Sequence, residues 1–169
     1  MIEQATIEDA MQIVQLLNSA YRGETSKQGW TTEADLIAGE RRTDEATVIN
    51  VMNQPGSIIL KYMNDRGEII GTVNLQQHGN RLYLGMFSVS PHLQGGGIGK
   101  ELLKYSELHA KAVNCSSIYM SVISVRSELI DWYKRHGYVD TGERKLFAED
   151  DLTGRHLQKL EFAILEKYI

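Results

Sequence analysis

Cysteine is nearly absent: Cys115 is the single example in 169 residues. That excludes an internal disulfide and a cysteine-based zinc cluster. Proline is almost as scarce, at two residues, and neither lies in a Pro- or Ser-rich stretch of the kind that links domains. No window nears the ~18 consecutive apolar residues of a membrane span. The opening residues, Met1-Ile2-Glu3-Gln4-Ala5-Thr6, lack the basic stretch and apolar run of a secretion signal, so a cytoplasmic location is expected. Positive charge is not in surplus either: 18 Lys and Arg face 22 Asp and Glu, for a net charge of −4. A nucleic-acid binder usually carries the opposite balance, to displace counterions from phosphates. The five histidines include no pair at metal-ligand spacing, which predicts no bound metal.

What is present suits one domain, residues 1–169, large enough to bury a core without staples. A short strand near 2–6 leads into a helix. Thr6 and Asp9 have the spacing of a capping box, and Ile13, Leu16, Leu17 and Ala20 then recur at helical period. Residues 21–30 are polar and glycine-punctuated, the composition of a loop. Thr32 with Asp35 repeats the capping pattern and predicts a short helix, and another helix is expected over 44–53, stopped by Pro55-Gly56. Strands at 57–63 and 68–76 flank the turn composition Asn64-Asp65-Arg66-Gly67, which predicts an antiparallel hairpin. A third strand at 81–90, a helix over 97–113 and a strand at 118–123 follow. A helix over 128–136 ends at Gly137, a residue suited to a left-handed C-terminal position. Two more strands are expected at 138–147 and 157–167. The order predicts a mixed α+β fold, with antiparallel hairpins followed by a β-α-β unit.

The most informative stretch runs from Phe87 to Lys100, where a strand enters the loop Gln94-Gly95-Gly96-Gly97-Ile98-Gly99 and the loop enters a helix. Glycines let backbone approach a ligand, and a helix start offers unpaired N–H groups with partial positive charge. Together these suit a phosphate. The dinucleotide fingerprint fails, because its third glycine would fall at Lys100 or at Leu102. A P-loop fails as well, since it would need Gly at position 94 and Ser or Thr at 101, where Gln94 and Glu101 stand.

The pattern that does fit is Gln-x-x-Gly-x-Gly from Gln94 through Gly97 to Gly99, preceded by Val89-Ser90-Pro91. It resembles the acetyl-coenzyme A motif of the GCN5-related N-acetyltransferase (GNAT) superfamily. The likeness extends to Leu102 and Leu103 and to Ile130-Asp131-Trp132-Tyr133-Lys134-Arg135-His136-Gly137-Tyr138, and the order of elements agrees along nearly the whole chain. A glycine-rich turn without a ligand is the bland alternative. The resemblance implies a mostly antiparallel central sheet of six to seven strands, flanked by helices and splayed at the cofactor site.

It also implies a chemistry. Main-chain amides of Gln94, Gly95, Gly96, Gly97, Ile98, Gly99 and Lys100 would hold the pyrophosphate of acetyl-CoA. The strand at Met86, Phe87, Ser88 and Val89 would pair with the pantetheine arm in a gap beside 118–123, and a backbone N–H near 86–88 would polarise the thioester carbonyl. A neutral primary amine, carried by a small molecule, an amino acid or a peptide N-terminus, would attack directly. Tyr133 stands where the family places its general acid for the leaving thiolate; the alternative is a tyrosine that only packs on the core. Neither strand beside the gap carries the Asp, Glu or His that would serve as base. Deprotonation would then pass through water or use a carboxylate of the N-terminal segment, Glu24 or Glu33; Glu33 is the first candidate, unless it only favours a helix start. Arg126 occupies a place where many members carry Asn. Arg22 and Trp30 are the expected acceptor contacts, through a carboxylate grip and an aromatic face. Neither nucleic acid nor membrane is an expected partner, and a homodimer is left open. A CoA-binding sensor or interaction domain without catalysis is the rival reading.

Overall fold

The computed structural model, which describes residues 1–169, opens with strand β1 (Ile2–Gln4) and passes through a 3-10 turn, Ile7–Asp9, into helix α1 (Ala10–Tyr21). The capping box forms as its spacing predicts, with the Thr6 amide donating to Asp9 Oδ2 at 2.9 Å. Ile13, Leu16, Leu17 and Ala20 are all buried, as the helical period requires. A single helical turn, α2 (Gly23–Ser26), interrupts the segment expected to be loop.

The short helix expected from Thr32 is not there. Thr32 Oγ1 accepts from the Ala34 amide at 3.1 Å, and Glu33 O closes one turn with the amides of Leu36 and Ile37. The chain then extends, because Ile37 bridges to His156 and is buried with Ile123 and Leu160. Tertiary burial overrides a local capping pattern that held only one turn. The next helix, α3 (Glu45–Met52), is capped by Asp44, whose Oδ1 accepts from Thr47 N at 2.8 Å.

The remaining strands are β2 (Ser57–Met63), β3 (Ile69–His78), β4 (Arg81–Val89), β5 (Ser117–Ile123), β6 (Val139–Leu146) and β7 (Glu161–Tyr168), with helices α4 (Ile98–Ala112) and α5 (Ser127–Arg135) between them. They form one sheet in the order β1-β2-β3-β4-β5-β7-β6. Every neighbouring pair is antiparallel except β4 and β5, which α4 connects as a crossover. Strand alternation divides the core between the two faces. Ile59 belongs to the core cluster formed with α1 and Val48 of α3, whereas the adjacent Leu60 belongs to the one that holds Leu102 and Leu103 of α4 and Ile130 of α5.

The parallel pair is short. Only Arg81, Leu82 and Tyr83 of β4 face residues of β5. Further along, Gly85 pairs with Asn74 and Ser88 with Thr72, so Met86 and Phe87 together oppose the single Val73 of β3. Met86 takes a φ of 48°, left-handed backbone that a side chain rarely adopts. Such a bulge bends its strand and raises its twist, and here it carries the end of β4 away from β5. The expected splay is present, and it opens where the glycine loop begins.

Candidate active site

Two cavities occupy the splay. The first, of about 230 Å³, is lined by Phe87, Ser88 and Val89 of β4, by Gln94, Gly95 and Gly97 of the loop and by Ile98, Gly99 and Lys100 in the first turn of α4. Of the residues expected around a cofactor, Met86 lines the second cavity instead and Gly96 lines neither. Gly95 and Gly97 have φ values of 89° and 91°, and a Cβ added at either would meet nothing within 4 Å. Backbone conformation, not crowding, calls for glycine there. Gly97 is the N-cap of α4, so the first-turn amides that follow have no partner inside the helix and carry the positive end of its dipole. At Gly99 the reason differs: a Cβ would stand 3.3 Å from Phe87 Cζ and 3.5 Å from the Trp132 ring.

Gln94 spends its side chain inside the protein. Its amide nitrogen donates to Thr31 Oγ1 at 2.7 Å and to Val89 O at 3.0 Å, while its oxygen accepts from Thr31 N at 3.2 Å. Gly29 packs so closely that a Cβ there would fall 2.4 Å from Gln94 Oε1. The segment after α2 is thus fastened to the end of β4, a link between positions 63 residues apart that no local pattern announces. Fastening it sets Trp30 beside the first cavity, 6.2 Å from Trp132 and away from the second. Trp132 continues the wall, with its ring 6.0 Å from Phe87, 5.2 Å from Tyr133 and 4.3 Å from His136.

The second cavity, of about 100 Å³, lies beyond that wall, and Tyr21, Phe87, Leu129 and Tyr133 line both. Tyr133 therefore stands where the two meet. It is held there by α5, which closes on Gly137 (φ 94°) with Tyr138 N donating to Tyr133 O at 3.2 Å. The ring is 4% exposed. Burial pushes its phenol well above the ordinary value of 10, and the neighbouring Tyr21 and Tyr138 push the same way. The proton stays on at neutral pH.

Tyr21, at the end of α1, donates its hydroxyl to Phe87 O and so holds the bulge from the other face of the sheet. The Arg42 guanidinium sits 4.5 Å over its ring. Arg42 itself lines the second cavity with Glu33 and Arg126. Glu33 Oε1 accepts from Arg22 Nη1 and lies 3.9 Å from Arg42 Nε, while Oε2 lies 3.7 Å from Arg126 Nη1. Arg22 is 3% exposed and also donates from Nε to Thr153 O at 3.0 Å. It lines neither cavity, so the structure sets it behind Glu33, whereas the sequence suggested an acceptor contact. Tyr21, Arg42 and Arg126 are the side chains that sequence reasoning missed. Arg126 left one trace, as a departure from the family pattern. The other two left none, because they meet the site only through the fold.

Similarity to known proteins agrees with this geometry. The profile of the Acetyltransferase (GNAT) family matches residues 11–138. A relative named probable spermine N(1)-acetyltransferase, from Bacillus subtilis subsp. natto (strain BEST195), is 36% identical over 64 residues. That match covers 37% of this chain and 42% of the relative. Among solved structures, the ribosomal-protein-S18-alanine N-acetyltransferase of Escherichia coli superposes with a TM-score of 0.75 at 14% identity, covering 100% of this chain and 93% of that one. The ribosomal-protein-alanine N-acetyltransferase of Brucella melitensis gives 0.73 at 16% identity, covering 100% and 99%. The IAA acetyltransferase of Bacillus cereus ATCC 14579 gives 0.68 at 17% identity, with the same coverage. At these identities the structural likeness speaks for the fold, and the profile match, which spans most of the chain, speaks for descent: the chain belongs to the GNAT acetyltransferase family.

Proposed function

We propose that the protein is an acetyl-CoA-dependent N-acetyltransferase acting on a primary amine. The observation that carries the reading is Tyr133, a buried and protonated phenol on the wall shared by a glycine-loop cavity and a second, charged cavity. The first cavity fits the donor. Its open faces at Gly95 and Gly97 leave main-chain amides approachable, and those of Gly97, Ile98, Gly99 and Lys100 would receive the pyrophosphate. Past Tyr83, β4 has no β5 residue paired with it, so its edge is free to bind the pantetheine amides as an added strand would. Acetyl-CoA supplies a thioester whose carbonyl an amine can attack.

The residues of the chain do the rest. Backbone N–H groups at the Met86–Phe87 bulge polarise the carbonyl under attack, the role of an oxyanion hole. Tyr133 gives its proton to the departing sulfur and recovers one from solvent. Glu33 anchors guanidiniums: one oxygen is taken by Arg22 and the other faces Arg126. We assign the acceptor's proton to water and not to this carboxylate. Cationic neighbours disfavour an ammonium and favour the free amine, which does part of a base's work. The relative named for spermine acetylation supports an amine as acceptor.

A thiol-release assay with acetyl-CoA and a panel of primary amines tests the reading. Release that depends on the amine, with loss of turnover in Tyr133→Phe, is the expected outcome. Heat of acetyl-CoA binding in calorimetry without release on any amine would instead favour a CoA-binding sensor or interaction module.

A further inference from the structure

The charged side chains lining the second cavity are two cations, Arg42 and Arg126, against one anion, Glu33. Three guanidiniums, of Arg22, Arg42 and Arg126, lie within 4 Å of the carboxylate of Glu33. Arg22 has taken Oε1 at hydrogen-bond distance. Arg126 has not been served: its side chain is 9% exposed, and Nη1 is buried with no hydrogen-bond partner. The 3.7 Å to Glu33 Oε2 is too long for a hydrogen bond. A buried donor left unpaired is costly, and a guanidinium's preferred partner is a planar oxyanion that takes two of its N–H groups at once. Arg42, 30% exposed along its side chain, lines the same cavity and adds a second cation. Most of the remaining wall is apolar or aromatic, with Phe147 and Phe162 stacked 4.4 Å apart, and Ser121 adds a hydroxyl.

We infer that this cavity receives a carboxylate carried by the acceptor, held by Arg126 and Arg42, so that the substrate is a small amino-acid-like molecule bearing both a primary amine and an anionic group. The inference rests on the acetyltransferase reading and narrows it. A space of about 100 Å³, against the 300–1,000 Å³ of typical ligand pockets, suits a compact head group. A polyamine would bring further positive charge to two cations. With the carboxylate on the guanidiniums, the amine of the same molecule is left to face Tyr133. As the N–C bond to the acetyl carbon forms, the C–S bond breaks and its electron pair stays with sulfur. Sulfur takes the Tyr133 proton, and the proton lost from nitrogen returns through water to Tyr133.

The test compares acceptors with and without the anion, using the full chain and acetyl-CoA. Free amino acids and β-alanine are run against the corresponding amino-acid amides and against spermine, with calorimetry of the same amino acids in the presence of CoA. The expected result is a kcat/KM for the best amino acid at least roughly 30-fold above its amide, the loss that follows when a buried charge loses its partner. Arg126→Gln should abolish that preference, raising KM for the amino acid far more than for its amide. Arg42→Gln, at a more exposed side chain, should weaken it in the same direction should the first variant fold poorly. Equal or faster turnover of amides or spermine would overturn the inference while leaving the acetyltransferase reading intact. Amino-acid binding that Arg126→Gln removes, without turnover of any amine, would uphold the carboxylate site and sink the reading. Neither binding nor turnover would overturn both.

Discussion

Arg126 Nη1 stands 3.7 Å from Glu33 Oε2, and each side chain is only 9% exposed. One residue caps α5 and the other belongs to the segment between α2 and α3. The pair therefore spans the cleft, joining the element that carries Tyr133 to the segment that Gln94 fastens to β4. Glu33 is the anion around which this side of the site is assembled.

Removing that anion should cost stability before it costs chemistry. In Glu33→Gln, Arg22 and Arg126 would stay buried with no countercharge, a loss of about 3 kcal/mol or more. For a chain of this size that lowers the Tm by on the order of 10 °C. Thermal denaturation checks it; a variant as stable as the parent but catalytically dead would return Glu33 to the role of base.

Tyr133→Phe should lower kcat by about 100-fold or more, the usual contribution of a positioned acid. The acetyl-CoA dissociation constant should change less than about twofold, because the ring keeps its packing against Phe87, Trp132 and Tyr138 and only a hydroxyl is lost. Steady-state rates and calorimetry separate the two. Undiminished turnover would leave Tyr133 as a packing residue.

The pH profile has a definite sign. An acid whose value is raised keeps its proton to higher pH, and burial holds the Tyr133 phenol well above 10. Turnover should rise as the acceptor amine deprotonates and should not fall again below about pH 10. A descending limb centred near pH 8 or 9 in the pH–rate profile would show that another group is the acid.

Two glycines of similar conformation should behave differently. Gly97 (φ 91°) and Gly67 (φ 75°) both open on empty space, so alanine at either costs about 1–2 kcal/mol through backbone strain alone. Only Gly97 lies in the loop that lines the first cavity. Gly97→Ala should weaken acetyl-CoA by about tenfold or more, as main-chain amides move out of position, whereas Gly67→Ala should leave affinity unchanged. Equal affinity in both variants, measured by calorimetry, would place the donor elsewhere.

The sequence alone determined the elements whose signals are local. The Thr6–Asp9 box, the helix stop at Pro55-Gly56, the hairpin through Asn64–Gly67 and the stop at Gly137 all depend on residues within a few positions of one another, and periodicity sorts their faces by the same short-range geometry. The glycine loop was legible for that reason too: strand, left-handed glycines and helix start are contiguous. The tertiary structure decided what occupies the far side of Tyr133. Glu33, Arg42 and Arg126 come from separate segments, and charges far apart in the chain interact only once the fold has removed the water between them. It also overrode the capping pattern at Thr32, because burying Ile37 against Ile123 and Leu160 outweighs the small preference of a single helical turn. The bulge at Met86 belongs to the same class, since a strained backbone persists only where its surroundings, here the Tyr21 hydroxyl on Phe87 O, hold it.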